Sequence, residues 1–329
     1  MGQLYNGAHA FKAFLMDAER LIRLRGLPKQ KSFKIRILHH MYTHLRIMSE
    51  SISFSPNIGN SGNTTVGPLG PSHMRTFHIE VDSLNIGLDP AKEKNTDLGY
   101  NDIHLDFQGR WQQTLYPIIY GIPETLMTLL SQTISLSNEK ARLESIARTD
   151  KRVSVALADH VKTLEGSIWS WSPPPERAGP ERPHHLAHGM EQGELIDHPQ
   201  ARLMAQAIHS ALIIYFYRRV YKMSAMIVQD LVRKTLDNLE GCTDQTINDP
   251  DFSTSLAWPA FIVACEAATP ELQERSLNYL KAVEVRGGAC FTPKSASLIV
   301  SMIRQRRQVT GEWTISWPDV LTGDGNTTS

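Results

Sequence analysis

Cysteine is scarce in this chain: Cys242, Cys265 and Cys290 are all that 329 residues hold. Three cysteines cannot form a disulfide scaffold, so a reducing intracellular setting fits better. An excess of either charge is also lacking. Lys plus Arg and Asp plus Glu are both 34, for a formal net charge of zero. Duplex DNA is held through many Lys and Arg contacts to phosphate, so an electroneutral chain excludes DNA binding unaided. Long apolar runs are missing too. The most apolar stretch, residues 211–217, is far below the ~20 residues of a membrane span. The N-terminus enters an amphipathic pattern at once and carries no secretory signal. No G-x-S-x-G elbow, G-x-x-x-x-G-K-[ST] loop or G-x-G-x-x-G fingerprint occurs, which weighs against hydrolase, nucleoside triphosphatase and dehydrogenase readings. The nearest approach to an aspartate-rich magnesium motif is Asp249-Pro250-Asp251, and Pro250 bars it from mid-helix.

What is there is helical periodicity. Hydrophobic residues make up 41% of the chain, enough for one large core or two smaller ones. Phe11, Phe14, Leu15, Ala18, Leu21 and Ile22 recur at helical spacing, with Asp17, Glu19 and Arg23 opposite; this predicts a helix over 8–25. A second helix is predicted over 32–50, with Ile35, Leu38, Met41 or Tyr42, Leu45 and Met48 buried. Residues 53–72 read as an exposed loop. The alternation at Phe77, Ile79 and Val81 has no partner strand to join and reads as extended chain. Pro123 restarts a helix, and Asn138 reads as the cap of a longer one that ends at Trp169-Ser170-Trp171. The segment 172–198, with Pro173-Pro174-Pro175, reads as a linker. Pro199 opens a helix apolar nearly all round, the expected centre of the fold. Further helices are predicted over 224–239, 257–267, 270–286 and 293–308, and the tail 322–329 reads as disordered. The expected fold class is all-α: an irregular array of about ten helices with long loops and a Pro-rich linker. It divides into an N-terminal helical half (1–171), the linker (172–198), a C-terminal helical half (199–321) and the tail.

Few side chains suggest chemistry. His184, His185, His188 and His198 could ligate a metal, yet they lie in a Pro-rich stretch and read as solvated linker. His40 and His44 have the i, i+4 spacing of zinc-binding helices but lack the Glu of H-E-x-x-H; with His39 they read as helix or core histidines. Arg304, Arg306 and Arg307 could touch phosphate or simply complement a helix C-terminus. Cys265 and Cys290 read as small buried hydrophobes. The most informative stretch is residues 256–268, a Trp-Pro step followed by an apolar run. Pro259 suits a first helical turn, and Thr269-Pro270 opens the next helix. Glu266 stands in apolar company and needs a partner. Trp258, Phe261 and Glu266 are either core plus a paired carboxylate, or the lining of an effector or partner pocket. No catalytic residue and no metal ligand is assigned.

Residues 256–268 resemble the regulatory domain of fungal-specific transcription factors, which lies C-terminal to a binuclear zinc-cluster module. Ala18 through Leu27, Leu38 through Ile47, Asp102-Ile103-His104-Leu105, Thr114-Leu115-Tyr116, Ile119 through Thr125 and Ala211 through Arg219 are similar to the arginine metabolism regulation protein II group. The resemblance implies an all-α regulatory, non-catalytic domain acting in the nucleus on RNA polymerase II transcription, of nitrogen or amino-acid metabolism. The partners it implies are other transcription regulators, a second copy of the chain among them, and no membrane. The zinc cluster of that superfamily needs six cysteines starting with C-x2-C-x6-C, a spacing absent here. Zinc and DNA binding are therefore expected only of a separate N-terminal module: either the gene begins upstream, which is the expectation, or the chain is a regulator without its own DNA reader. An all-α enzyme with an apolar pocket and a DNA-free interaction scaffold are the rival classes; convergent carboxylates in a cavity would mark the first, an exposed apolar patch the second.

Overall fold

The computed structural model describes residues 2–26, 32–52, 84, 88–89, 92, 94, 102–103, 105, 114–173, 199–242, 253–285 and 293–321. Among these the chain forms eleven α-helices and no strand, an all-α array. In chain order they are α1 (Gly2–Arg25), α2 (Phe33–Ile52), α3 (Tyr116–Tyr120), α4 (Glu124–Ala147), α5 (Lys151–Ser170), α6 (Pro199–Arg219), α7 (Gln229–Gly241), α8 (Ser253–Glu266), α9 (Pro270–Val285), α10 (Pro293–Thr310) and α11 (Trp317–Leu321); a 3-10 turn, Ala225–Val228, leads into α7. The expected loop at 53–72, the 77–81 segment, the histidines at 184–198, Cys290 and the tail lie outside the described residues.

Helix α6 is the centre. It packs against α4, α5, α7 and α8. No residue of α6 beyond Pro199 is exposed, and Ala211 through Phe216 are all buried. A helix without a polar face has no stable place except inside. Each fully buried side chain such as Leu212 or Ile214 contributes about 1.5–3 kcal/mol. One apolar cluster runs from Ile47 to Val320 and includes residues of α2, α4, α5, α6, α8 and α10.

Two boundaries differ from the sequence reading, each for a physical reason. Helix α4 runs straight through Ser137-Asn138 to Ala147. Ser137 turns its hydroxyl onto the carbonyl of Ile134 (2.9 Å), and Leu136 before it and Glu139 and Leu143 beyond it are buried, so packing overrides the capping tendency. The break comes at residues 148–150, where Asp150 caps α5 by accepting from the Arg152 N–H (2.8 Å). Pro259 lies inside α8, not at its start. The Ser255 carbonyl therefore loses its helical donor. Leu256, Ala257 and Trp258 are all buried, and their packing holds the helix through the proline. Gly121, at φ +65°, allows the tight turn from α3 into Pro123 and α4.

The α1–α2 pair departs most from its predicted faces. Leu15, Tyr42 and Ile103 form a small cluster joined by Ala18, Ile22 and Leu45. Phe14, Leu21 and Leu38, all expected inside, are exposed; of the alternatives Met41 and Tyr42 it is Tyr42 that is buried, and Glu19 is buried too. One narrow contact between two helices buries a single stripe. The inner face of α2 is instead polar and aromatic: His39, His40, Thr43, His44 and Arg46 are buried there.

Candidate functional site

Two polar clusters lie inside this apolar array, and each is built by residues far apart in sequence. The first surrounds Glu266. Helix α8 ends at this residue, so its last carbonyls have no partner within the helix. Side chains cap them. Arg304 reaches toward the Ala264 carbonyl (3.5 Å), Arg307 donates to Cys265 (2.8 Å), Gln229 to Glu266 (3.0 Å) and Gln273 to Ala267 and Ala268 (3.2 Å each).

The Glu266 side chain is fully buried, and three donors meet it. Arg218 Nε from α6 and Arg307 from α10 each donate to Oε2 at 2.7 Å, and the Ser316 hydroxyl donates to Oε1 at 3.0 Å. Both arginine side chains are buried as well, at 0% and 2% exposure. Two guanidinium groups against one carboxylate leave a surplus positive charge, which backbone dipoles answer. Arg218 donates to the carbonyls of Met223, Thr314 (3.1 Å) and Ile315 (2.9 Å), and Arg307 to Ile315 (3.0 Å from Nε). A buried ion pair without such secondary bonds would not recover its desolvation cost. The result is a knot that ties α6, α8, α10 and the segment before α11 at one carboxylate.

Beside the knot, aromatic rings stack around α8. Trp258 and Phe261 are each 1% exposed. Trp258 lies 6.0 Å from Tyr215 and donates its indole N–H to the Ser51 hydroxyl (2.9 Å) on α2. Phe261 meets Trp317 edge-on at 6.0 Å, and Trp317 meets Tyr215 at 5.7 Å. So the structure brings Trp258 and Phe261 into one ring assembly and sets Glu266 at the far end of the same helix. Burial pushes the Cys265 thiol well above its ordinary range, which fits a small hydrophobe and not a reactive thiolate.

The second cluster joins α2, α3 and the start of α4. His40 and His44, one turn apart on α2, meet Tyr116 and Tyr120, one turn apart on α3. His40 packs tilted on Tyr116 at 4.8 Å, and His44 stacks on Tyr120 at 4.0 Å. The Leu115 N–H donates to His40 Nε2 (3.2 Å), which assigns the proton to Nδ1 facing the Arg36 carbonyl (2.9 Å). Arg36 also holds the buried carboxylate of Asp102 (3.0 Å). Glu124 pairs with Lys94. Burial, then the charge of Glu124, raises the Tyr116 phenol well above its ordinary range.

Burial alone lowers His44 from its ordinary 6.5 to about 4. Unfolded, this imidazole takes up a proton below about pH 6.5; folded, it stays neutral to about pH 4. The unfolded chain therefore binds more protons across that window. Stability is complete above pH 6.5 and falls toward pH 4, by about 3 kcal/mol for this group. His160 and His209 are lowered by burial too and act in the same direction. Urea unfolding at pH 7 and pH 4.5 should show the loss, and His44→Phe should reduce it by about half or more. Identical losses in the two proteins would contradict this assignment.

Sequence reasoning identified Glu266 and missed what holds it. Arg218 closes the apolar run 211–217 beside Arg219, with nothing local to mark it as the partner. Arg307 sat among the basic residues of α10 with no mark to separate it from Arg306. Among the described residues no group of three or more His, Cys, Asp and Glu side chains could hold a metal ion, and no helix is long and apolar enough to cross a membrane.

A family model described as fungal specific transcription factor domain matches residues 3–328. No curated protein and no solved structure matches the chain.

Proposed function

This chain belongs to the fungal specific transcription factor domain family, and from that membership we propose that it is a regulatory, non-catalytic domain that tunes RNA polymerase II transcription in the nucleus. The match across residues 3–328 is the observation that carries this reading. The balanced charge supports it: 34 cations against 34 anions suit contacts with proteins better than contacts with phosphate. In this reading DNA and zinc belong to a separate zinc-cluster module. The partners are other transcription regulators, including a second copy of the chain.

The physical means is a population shift between packings of the helical array. A buried ion cluster adds little net stability, and its best-attested use is to specify one arrangement over others. The Arg218–Glu266–Arg307 knot fits that role, because it fastens three helices and the 314–316 segment at one point. Trp258 and Phe261, stacked beside it, transmit any shift of α8 to α2 and α11. In this picture Trp258, Phe261 and Glu266 serve as the wall behind an effector or partner site.

The finer reading, control of nitrogen or amino-acid metabolism, rests on the resemblance to the arginine metabolism regulation group. Transcript profiling of a deletion strain, on arginine and on ammonium, tests it. The changes should concentrate in amino-acid catabolic genes and depend on the nitrogen source. A profile unchanged by the deletion, or changed equally on both sources, would overturn that reading.

A further inference from the structure

Where α5 meets the end of α6, four side chains lock together at the surface. Glu165 and Trp169 stand one turn apart on α5; Tyr217 and Tyr221 stand four residues apart, at the end of α6 and just beyond it. The Tyr217 hydroxyl donates to Glu165 Oε1 (2.6 Å) and accepts from the Trp169 indole N–H (2.9 Å), and the Tyr221 hydroxyl donates to Glu165 Oε2 (2.7 Å). The rings adjoin in a row. Trp169 lies 6.3 Å from Tyr217, and Tyr217 lies 5.7 Å from Tyr221 at an interplanar angle of 26°. Buried Phe216 backs Tyr221 edge-on at 5.4 Å. The row is open to solvent, with Trp169 52% and Tyr221 43% exposed.

Two features mark this row as a place where something docks. The charge of Glu165 is unanswered: phenols hold the carboxylate, and among the described residues no cation bridges it. Partial burial, then the hydrogen bond to Glu165 and its charge, push the Tyr221 phenol up to about 12, and no cation is among the charges that act on either phenol. The second feature is rigid apolar surface left in water. Three hydrogen bonds already fix the rings, so a partner covering them meets little further ordering cost.

We propose that this row is a docking site for an arginine side chain presented on the surface of a partner protein, its guanidinium stacked on the exposed rings of Trp169 and Tyr221 and paired with Glu165. Each oxygen of Glu165 holds one phenol and keeps a further lone pair for a second donor. A planar guanidinium both stacks on aromatic faces and pairs with a carboxylate, whereas a lysine ammonium is a strongly hydrated point charge. A rounded quaternary ammonium is held by rings set around it, and these rings adjoin in a row. An anion would meet the carboxylate. Trp, Tyr and Arg are also the side chains that dominate protein interfaces. The site deepens the reading of this chain as a regulatory domain, and rests on it only for the claim that the partner is a transcription regulator.

The test is a titration of the full chain, labelled with 15N at tryptophan, with the capped peptide acetyl-Gly-Arg-Gly-amide. Counterparts carrying citrulline, lysine or trimethyllysine in place of arginine serve as controls. The arginine peptide should shift the Trp169 indole resonance, assigned by its loss in Trp169→Phe, and should saturate in the millimolar range. Lysine should bind several-fold more weakly, and neutral citrulline about tenfold more weakly or worse. Glu165→Gln keeps an acceptor for the phenols and should weaken arginine binding about tenfold. Tyr221→Leu should weaken it several-fold, and covers the case in which Glu165→Gln disturbs the ring row. A response that never saturates would overturn the proposal. So would citrulline or trimethyllysine binding as tightly as arginine, or arginine binding unaffected by both substitutions. Binding is measured on the isolated chain and transcription in cells, so failure of one is distinguishable from failure of the other.

Discussion

Replacing Glu266 with alanine should destabilise the protein by about 3–5 kcal/mol, because it strands two buried guanidinium groups without a counter-charge. Arg218 and Arg307 cannot escape to solvent: their side chains are 0% and 2% exposed, and each is bonded to surrounding carbonyls. Ser316 loses its acceptor in the same step. The loss is a large share of the 5–15 kcal/mol by which folded proteins exceed unfolded ones, so the melting temperature should fall by many degrees. Removing all three charges together should be milder. An Arg218→Met, Glu266→Met, Arg307→Met triple variant deletes the desolvation cost of the charges along with their attraction, but strips donors from the Cys265, Thr314 and Ile315 carbonyls, and should melt between Glu266→Ala and the original protein. Urea denaturation of both variants checks this. A Glu266→Ala loss under about 1 kcal/mol, or a triple variant worse than the single one, would show that the cluster is not the buried knot described.

Trp258→Ala should cost a similar amount, about 3–5 kcal/mol, by leaving an unfilled space in a close-packed interior. Trp258 is 1% exposed and touches Tyr215. Its indole N–H also ties α8 to Ser51 on α2, so the substitution should loosen the α2 contact beyond the cavity itself. Trp258→Phe keeps most of the volume and removes that bond, and should cost distinctly less. Thermal unfolding of the two variants separates the packing contribution from the hydrogen bond. Equal losses would assign the whole effect to the bond with Ser51.

Much of this architecture was legible in the amino-acid order, and the failures are instructive. The run from Leu203 to Tyr217 has no polar face, which forces it inside, and α6 is there. Val153, Leu157, Val161, Leu164 and Ile168 repeat at helical spacing and are buried on α5. The stop at Gly26 and the start at Thr269-Pro270 follow local capping chemistry; the Leu272 N–H reaches the Thr269 hydroxyl at 3.4 Å. Periodicity failed on α1 and α2, because it counts apolar residues and cannot see that α2 turns histidines, threonine and arginine inward. Thr43 and His40 meet their partners, the Asp102 and Ile103 carbonyls and the Leu115 N–H, 59 to 75 residues away. The same limit hid the knot. Glu266 could be seen to need a cation, but Arg218 and Arg307 lie 48 and 41 residues from it, and no local pattern selects them.

Transcription itself provides the most direct test of the account. The full chain, fused to an unrelated DNA-binding module, should change output from a matching reporter several-fold relative to the module alone. The folded Arg218→Met, Glu266→Met, Arg307→Met variant, at equal protein level and equal promoter occupancy, should give a different output from the original chain. A fusion indistinguishable from the bare module would contradict the regulatory assignment. Identical output from the original and triple-variant fusions would contradict the role given to the knot.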